Sequence, residues 1–440
     1  MLFETKPIAL DVGDINILDS AKSYLSALLE HISRAEKRIY ITALYLQDDD
    51  AGKIILDALY QAKQLRPKLN INVFVDAHRA QRGLIGEKQQ LGNRALYLKL
   101  AQQYGDTINI YGVAVKNKEL FGVLHLKGMV FDDHVLYTGA SINDVYCHQH
   151  DKYRLDRYYI LNSKSLADSF CQYLDTVFID SALAPKLNIE YYPDLQTRKT
   201  IVQKLRKLLA VTQYKTKQYR PLNCELTVKP LVGFGARNNQ LNKHIRKTIQ
   251  RSVDKVVIFT PYFNMPKVLV RDLAKALRRG VNVEITVGDK TANDFYIEDP
   301  DKFSTIGAIP YLYEILLVRF VKKWQKYILS GQLTIRLWKH DKNSYHLKGI
   351  ISDSRYHLIT GSNVNPRAWA LDLENGLLID DKNGVLNEQV ENELAQIYQN
   401  TTVVKSVTEL QSLRDYPQKP QKLIKKLRLT QIDRLLKRLL

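Results

Sequence analysis

Cysteine is scarce: three residues in 440, Cys147, Cys171 and Cys224, with no CxxC and no close spacing. A disulfide scaffold is thereby excluded, and a reducing compartment is expected. Long apolar runs are lacking too. No stretch of about 18 uncharged apolar residues occurs, so no membrane-spanning helix is expected. The opening MLFETKPIALDVGD carries acids and no basic region ahead of an apolar run, so no signal peptide is expected. These absences predict a cytoplasmic chain, soluble or peripheral to a membrane. Acidic residues are in deficit, 46 against 65 Lys plus Arg, which gives a formal charge of +19. At this size such a balance favours phosphate-rich partners, whether nucleic acid, an anionic membrane surface or a nucleotide substrate. With 45% apolar and 25% charged residues, neither a disordered tail nor a fibrous protein fits.

What is present is a repeat. EKRIYITALYL from Glu36 runs through a polar break and a helical pattern to INVFVD, ending at Asp76. DKVVIFTPYFN from Asp254 runs through KVLVRDLAKALRRG to VNVEITVGD, ending at Asp289. The same order at a nearly fixed offset implies two copies of one α/β unit, and the short β-branched runs read as strands covered on both faces. We therefore expect domains at 1–182 and 226–400, a Pro-punctuated basic linker with one helix at 183–225, and a basic amphipathic extension at 401–440.

Each copy carries H-x-K-x4-D: His125, Lys127 and Asp132 in HLKGMVFD, then His346, Lys348 and Asp353 in HLKGIISD. Both continue in parallel, through TGASIND with Gly139, Ser141 and Asn143, and through TGSNVN with Gly361, Ser362 and Asn363. In a strand, His and Lys two apart share a face. A pseudo-twofold would then bring both pairs into one cleft, a phosphoryl site built without a metal. One imidazole can attack phosphorus while the second manages protons. Lys127, Lys348, Asn143 and Asn363 can supply donors to the non-bridging oxygens. Asp132 and Asp353 complete the motif and are expected to bond structural partners beside the cleft.

The duplicated motif resembles the phospholipase D superfamily over essentially both halves. That resemblance implies a mixed β-sheet flanked by helices in each domain, pseudo-twofold symmetry and an active site at the domain interface. It also implies His125 as nucleophile, His346 as acid–base partner, and an acid against each histidine. Glu374 in LDLENG lies 28 residues after His346, and Asp156 in RLDRYY lies 31 after His125. The segments DAHRAQRG, TPYFNMP, VGDKTANDFY and NVNPRAWALDLENG are similar to the phosphatidylserine synthase family of Gram-negative bacteria. This similarity implies phosphatidyl transfer from CDP-diacylglycerol to L-serine, giving phosphatidylserine and CMP through a phosphohistidine. It further implies no cofactor, attachment to the inner face of the inner membrane, and ribosome association. Alternatives are another superfamily phosphodiesterase, such as a nuclease or cardiolipin synthase, or a non-catalytic module on an anionic surface. No RNA-binding aromatic motif appears, so no specific nucleic-acid partner is expected.

Beyond the motifs, Asp76, Arg79 and Arg82 follow one repeat strand, and Asp289 and Lys290 follow its counterpart, where ligands gather in open α/β sheets. Arg79 and Arg82 are candidate pyrophosphate ligands, with a surface ion pair as the plain alternative. Cys147, His148 and His150 in CHQHDK lack further ligands at metal spacing, so no metal site is expected. The run from Lys419 to Leu440 has Leu423, Ile424, Leu427, Ile432, Leu435, Leu436 and Leu439 at roughly helical spacing among many cations. It reads as an interfacial membrane helix, or as a helix packed on its own core. Tyr311 to Leu329 is a second such candidate.

Overall fold

A computed structural model of the chain describes residues 5–82, 92–221, 224–430 and 436–437. The first half forms a seven-stranded sheet in the spatial order Ile15–Leu18, Tyr158–Asn162, His134–Thr138, Gly128–Phe131, Arg38–Thr42, Asn70–Asp76 and Asn109–Val113. The last three strands pair in parallel and the rest antiparallel. Parallel neighbours need crossovers, supplied by the helices Asp50–Leu65 and Arg94–Tyr104. In the first of these the Asp49 carboxylate accepts from the Gly52 N–H at 3.0 Å, which turns the acidic break QDDDAGK into a cap.

The second half repeats the order strand for strand: Leu226–Phe234, Leu373–Asp381, Tyr356–Thr360, Gly349–Ser352, Lys255–Phe259, Asn282–Gly288 and Leu333–Trp338. Two further strands extend its edges, Ile8–Leu10 beside Leu226–Phe234 and Thr401–Val403 beside Leu333–Trp338. The second sheet thus crosses the expected domain limits at two places. Residues 8–10 belong to the second sheet although they open the chain, and the second unit runs past 400.

Alternation along the strands separates the cores. Tyr40 and Phe74 of the first sheet, with Val257 and Phe259 of the second, join one large cluster built by both halves. Their neighbours Ile39, Ile41 and Val73 pack in a second cluster under the first half's helices. Val256 and Ile258 do the same in the second half. Helix Leu195–Leu209 of the linker buries Leu205 and Leu209 in the shared cluster, so this helix is docked on the core. Helix Ile309–Leu329 buries Leu317, Phe320 and Val321 against the second sheet. This candidate membrane segment is a core helix.

The C-terminal run is only partly described. Ile432, Asp433, Arg434, Leu435, Arg438 and Leu439 lie outside the described residues. Within helix Gln418–Leu429, Ile424 is fully buried against Tyr311, Leu312 and Ile315, with Leu427 and Leu436 alongside. Burying one such side chain contributes about 1.5–3 kcal/mol. The apolar face thus covers the protein's own helix, and Lys422, Lys425 and Lys426 are left exposed. No described helix is long and apolar enough to cross a membrane.

Candidate active site

Each motif segment is held by the opposite half. The His125 N–H donates to the Leu373 carbonyl at 2.9 Å, and the Leu373 N–H returns to the Val123 carbonyl at 3.0 Å. By the same pattern the His346 N–H donates to the Leu155 carbonyl at 2.9 Å and the Ser344 N–H to the Tyr153 carbonyl at 3.1 Å, as Ser344–Tyr345 pairs in parallel with Arg154–Leu155. The residue after each acceptor is an acid, so the pairing delivers Glu374 to His125 and Asp156 to His346. Counting each acid from the histidine of its own half assigns them the wrong way round.

The lysines cross as well. A side chain on Gly361 would meet the Lys127 stem at 2.6 Å, and one on Gly139 would meet the Lys348 ammonium at 2.8 Å. Each glycine of the motif continuation is therefore the gap through which the other half's lysine enters. Asn375 locks the arrangement. Its side chain accepts from the Lys127 N–H at 2.8 Å and donates to the Lys127 carbonyl at 2.7 Å. Asp76 and Asp372 accept from the main-chain N–H groups of Leu124 and Val123, each at 2.9 Å.

The two histidines differ. His125 Nδ1 faces only the Glu374 carboxylate, 2.9 Å from both oxygens. That contact keeps the proton on Nδ1 and turns the Nε2 lone pair outward. His346 Nδ1 meets the Tyr146 hydroxyl at 2.7 Å, the Lys348 ammonium, and the Asp156 carboxylate at 3.5 Å. Donors and an acceptor both reach it, so Nδ1 has partners whether it accepts or donates. Burial and the neighbouring lysines push His125 well below the usual imidazole range, and burial with Lys348 pushes His346 down to about 4. Both rings are neutral at pH 7. Burial and Asp372 push the Glu374 carboxyl up, against the pull of Lys127 and Lys348.

The Lys348 ammonium is 2.8 Å from Asp156 and 3.4 Å from the Gly139 carbonyl. The Lys127 ammonium is buried and has no hydrogen-bond partner among the described residues, and burial pushes it down to about 7. A buried amine close to His125 and left without a partner fits an anionic ligand. Beside His346 stand two rings, Tyr146 at 5.6 Å and Tyr262 at 6.0 Å. The Tyr262 hydroxyl donates to Asp294 at 2.7 Å, and Arg154, 4.7 Å over the Tyr146 ring, pairs with Asp294 at 2.9 Å.

Other expected residues fall elsewhere. Asp132 accepts from the N–H groups of Glu36, Lys37 and Arg38, and Asp353 from those of Val253, Asp254 and Lys255; both tie strand starts and neither touches a motif histidine. The Asn143 side chain accepts from the Tyr146 N–H at 2.9 Å and so seats that tyrosine. The Asn363 side-chain oxygen is buried without a described partner. Arg79 and Arg82 both face Glu119, at 3.5 and 2.6 Å, so the ion-pair alternative describes them. Asp289 caps a short turn through the Thr291 N–H, and Lys290 pairs with Glu314 at 2.9 Å between the Tyr311 and Tyr416 rings. Cys147 is buried, while His150 lies 3.3 and 3.4 Å from Asp50 and Asp144. Sequence reasoning missed Tyr146, Asp372, Asn375 and Asp294. Asp372 and Asn375 flank Glu374 in LDLENG, and that adjacency was the available signal.

The chain matches the family model described as cardiolipin synthase, PLD-like domain, over residues 28–173 and 245–398. It is 46% identical to the CDP-diacylglycerol--serine O-phosphatidyltransferase PssA of Escherichia coli K12, covering 100% of this chain and 97% of that protein. The crystal structure of phosphatidylserine synthase from Haemophilus influenzae matches with a TM-score of 0.95 at 45% identity, covering 100% of this chain and 98% of that one. A CDP-diacylglycerol--glycerol-3-phosphate 3-phosphatidyltransferase of Saccharomyces pastorianus is 25% identical, over 93% of this chain and 85% of its own length. With matched domains in both halves and full-length relatives of this identity, the chain belongs to the phosphatidylserine synthase family of the phospholipase D superfamily.

Proposed function

We propose that the protein transfers the phosphatidyl group of CDP-diacylglycerol to L-serine through a phosphohistidine on His125. The observation that carries this reading is the inequivalence of the two histidines, one held by a carboxylate alone and one in contact with proton donors and an acceptor. In the first step a bond forms between His125 Nε2 and phosphorus as the bond to CMP breaks, and the electron pair leaves on the CMP phosphate. A phosphate monoester with a second pKa of about 6 needs little protonation to depart. In the second step the serine hydroxyl oxygen attacks phosphorus, its proton passes to His346, and the nitrogen–phosphorus bond breaks to restore His125. Lys127 takes the non-bridging oxygens as their charge grows.

Catalysis at a bilayer surface requires contact with it. The exposed Lys422, Lys425 and Lys426 and the charge of +19 support peripheral association with the inner face of the inner membrane. The same charge supports the ribosome association expected from the family resemblance. The deciding experiment incubates the protein with CDP-diacylglycerol and labelled CMP without serine. Label entering the lipid, with an acid-labile phosphate adduct on His125, is the expected result. No exchange in a preparation that does transfer to serine would replace the two steps by direct attack.

A further inference from the structure

The pseudo-symmetry of the site also fails beside the two crossing acids. Two residues before each crossing acid, a side chain shares the acid's strand face, and it is Asp372 beside Glu374 but Arg154 beside Asp156. Asp372 is consumed in scaffolding, by the Val123 N–H at 2.9 Å and by Arg367 at 3.1 Å. Arg154 does no such work on the main chain. It pairs in register with Ser344, two residues before His346, which places it about 7 Å along the strand from the histidine's position. Its Nε donates to the Ser344 hydroxyl at 3.2 Å and its far end meets Asp294. The side chains of Arg154 and Asp294 are 15% and 14% exposed, a mostly buried ion pair. The two charges come from different halves, and the Tyr146 and Tyr262 rings that touch His346 also hold them.

We infer that Arg154 and Asp294 form the acceptor site and select a zwitterionic amino acid. Arg154 takes the carboxylate and Asp294 the ammonium, so the bound molecule replaces an internal ion pair by two external ones and leaves no charge unpaired. The hydroxyl is then carried toward His346, on the side of the cleft where the proton must be removed. On the His125 side the corresponding pair, Asp372 with Arg367, is already bonded to the main chain, Asp372 by the Val123 N–H and Arg367 by the Glu119 carbonyl. This inference rests on the reading of the site as a transferase to serine.

The test compares L-serine with ethanolamine, which lacks the carboxylate, and with 3-hydroxypropanoate, which lacks the ammonium. Arg154→Met should raise KM for L-serine about 10- to 100-fold, the worth of a hydrogen bond to a charged group, and should shrink the preference over ethanolamine by a similar factor. Arg154→Lys should restore part of it. Asp294→Asn, nearly isosteric, should instead shrink the preference over 3-hydroxypropanoate, and it keeps the test alive if the methionine variant does not fold. CMP exchange without serine should persist in all three. An unchanged serine KM and unchanged preferences would overturn the proposal, as would exchange falling in step with transfer, which marks a structural role. Wild-type protein that transfers but shows no exchange would overturn the covalent intermediate alone, because the acceptor preferences are read independently.

Discussion

His125 and His346 have separate duties, so neither can cover for the other. Replacing either with Ala should lower serine transfer by several orders of magnitude with the fold intact, and near wild-type turnover in either variant would sink the two-step scheme. Lys127→Met should lose roughly 10²- to 10³-fold, the scale of a missing donor to developing charge. Because burial pushes the Lys127 amine down to about 7, its positive charge is present below that pH and lost above it. Apparent affinity for CDP-diacylglycerol should therefore weaken as pH rises through 7, and Lys127→Met should flatten that profile. Much of this was legible in the residues themselves, since two H-x-K-x4-D motifs in register name the chemistry. What was not legible was which acid serves which imidazole. Spacing within a half cannot report a bond to the other half, and the two-residue strands that make the crossing carry no periodicity to detect.

At the scale of elements, the crossing depends on Asn375, which satisfies both the N–H and the carbonyl of Lys127 in a buried strand. Asn375→Leu should destabilise by about 1–3 kcal/mol for each group left unpaired, seen as a lowered unfolding midpoint together with reduced transfer. An unchanged midpoint would place the lock elsewhere. The C-terminal helix raises a different question, because its apolar stripe is already spent on Tyr311, Leu312 and Ile315. Deleting it would bare a core surface, so charge reversal is the cleaner probe. Lys422→Glu, Lys425→Glu and Lys426→Glu together should weaken sedimentation with anionic vesicles, at about 1 kcal/mol per near-surface cation, with the difference vanishing in high salt. Equal, salt-insensitive binding would move the contact to another face. The strand order could be read from β-branched runs and their offset. The docking of this helix could not, since an amphipathic pattern looks the same against a bilayer and against a neighbouring helix.

For the whole molecule, acid stability is set by opposing buried groups. Burial beside Arg157 pushes His357 down to about 4, and His346 stands at about 4. A group depressed in the fold leaves the unfolded chain binding more protons between 4 and 6.5, so stability falls as pH drops through that window. Asp49 and Asp76, pushed up to about 6 by burial, act in the opposite direction below 6. The reading is cleanest as a difference. His357→Leu should gain on the wild type by up to about 3 kcal/mol between pH 7 and pH 4, measured by denaturant unfolding, and a constant difference would remove His357 from the balance. The reciprocal placement of Glu374 and Asp156 has a further consequence, for ancestry. A chain of half this length could have worked only as a pair of identical copies, each lending its acid and its lysine to the other. Joining the copies freed one position to be Glu and its twin to be Asp, one neighbour to be Asp372 and its twin Arg154, so that attack and acceptance could be inherited as separate traits.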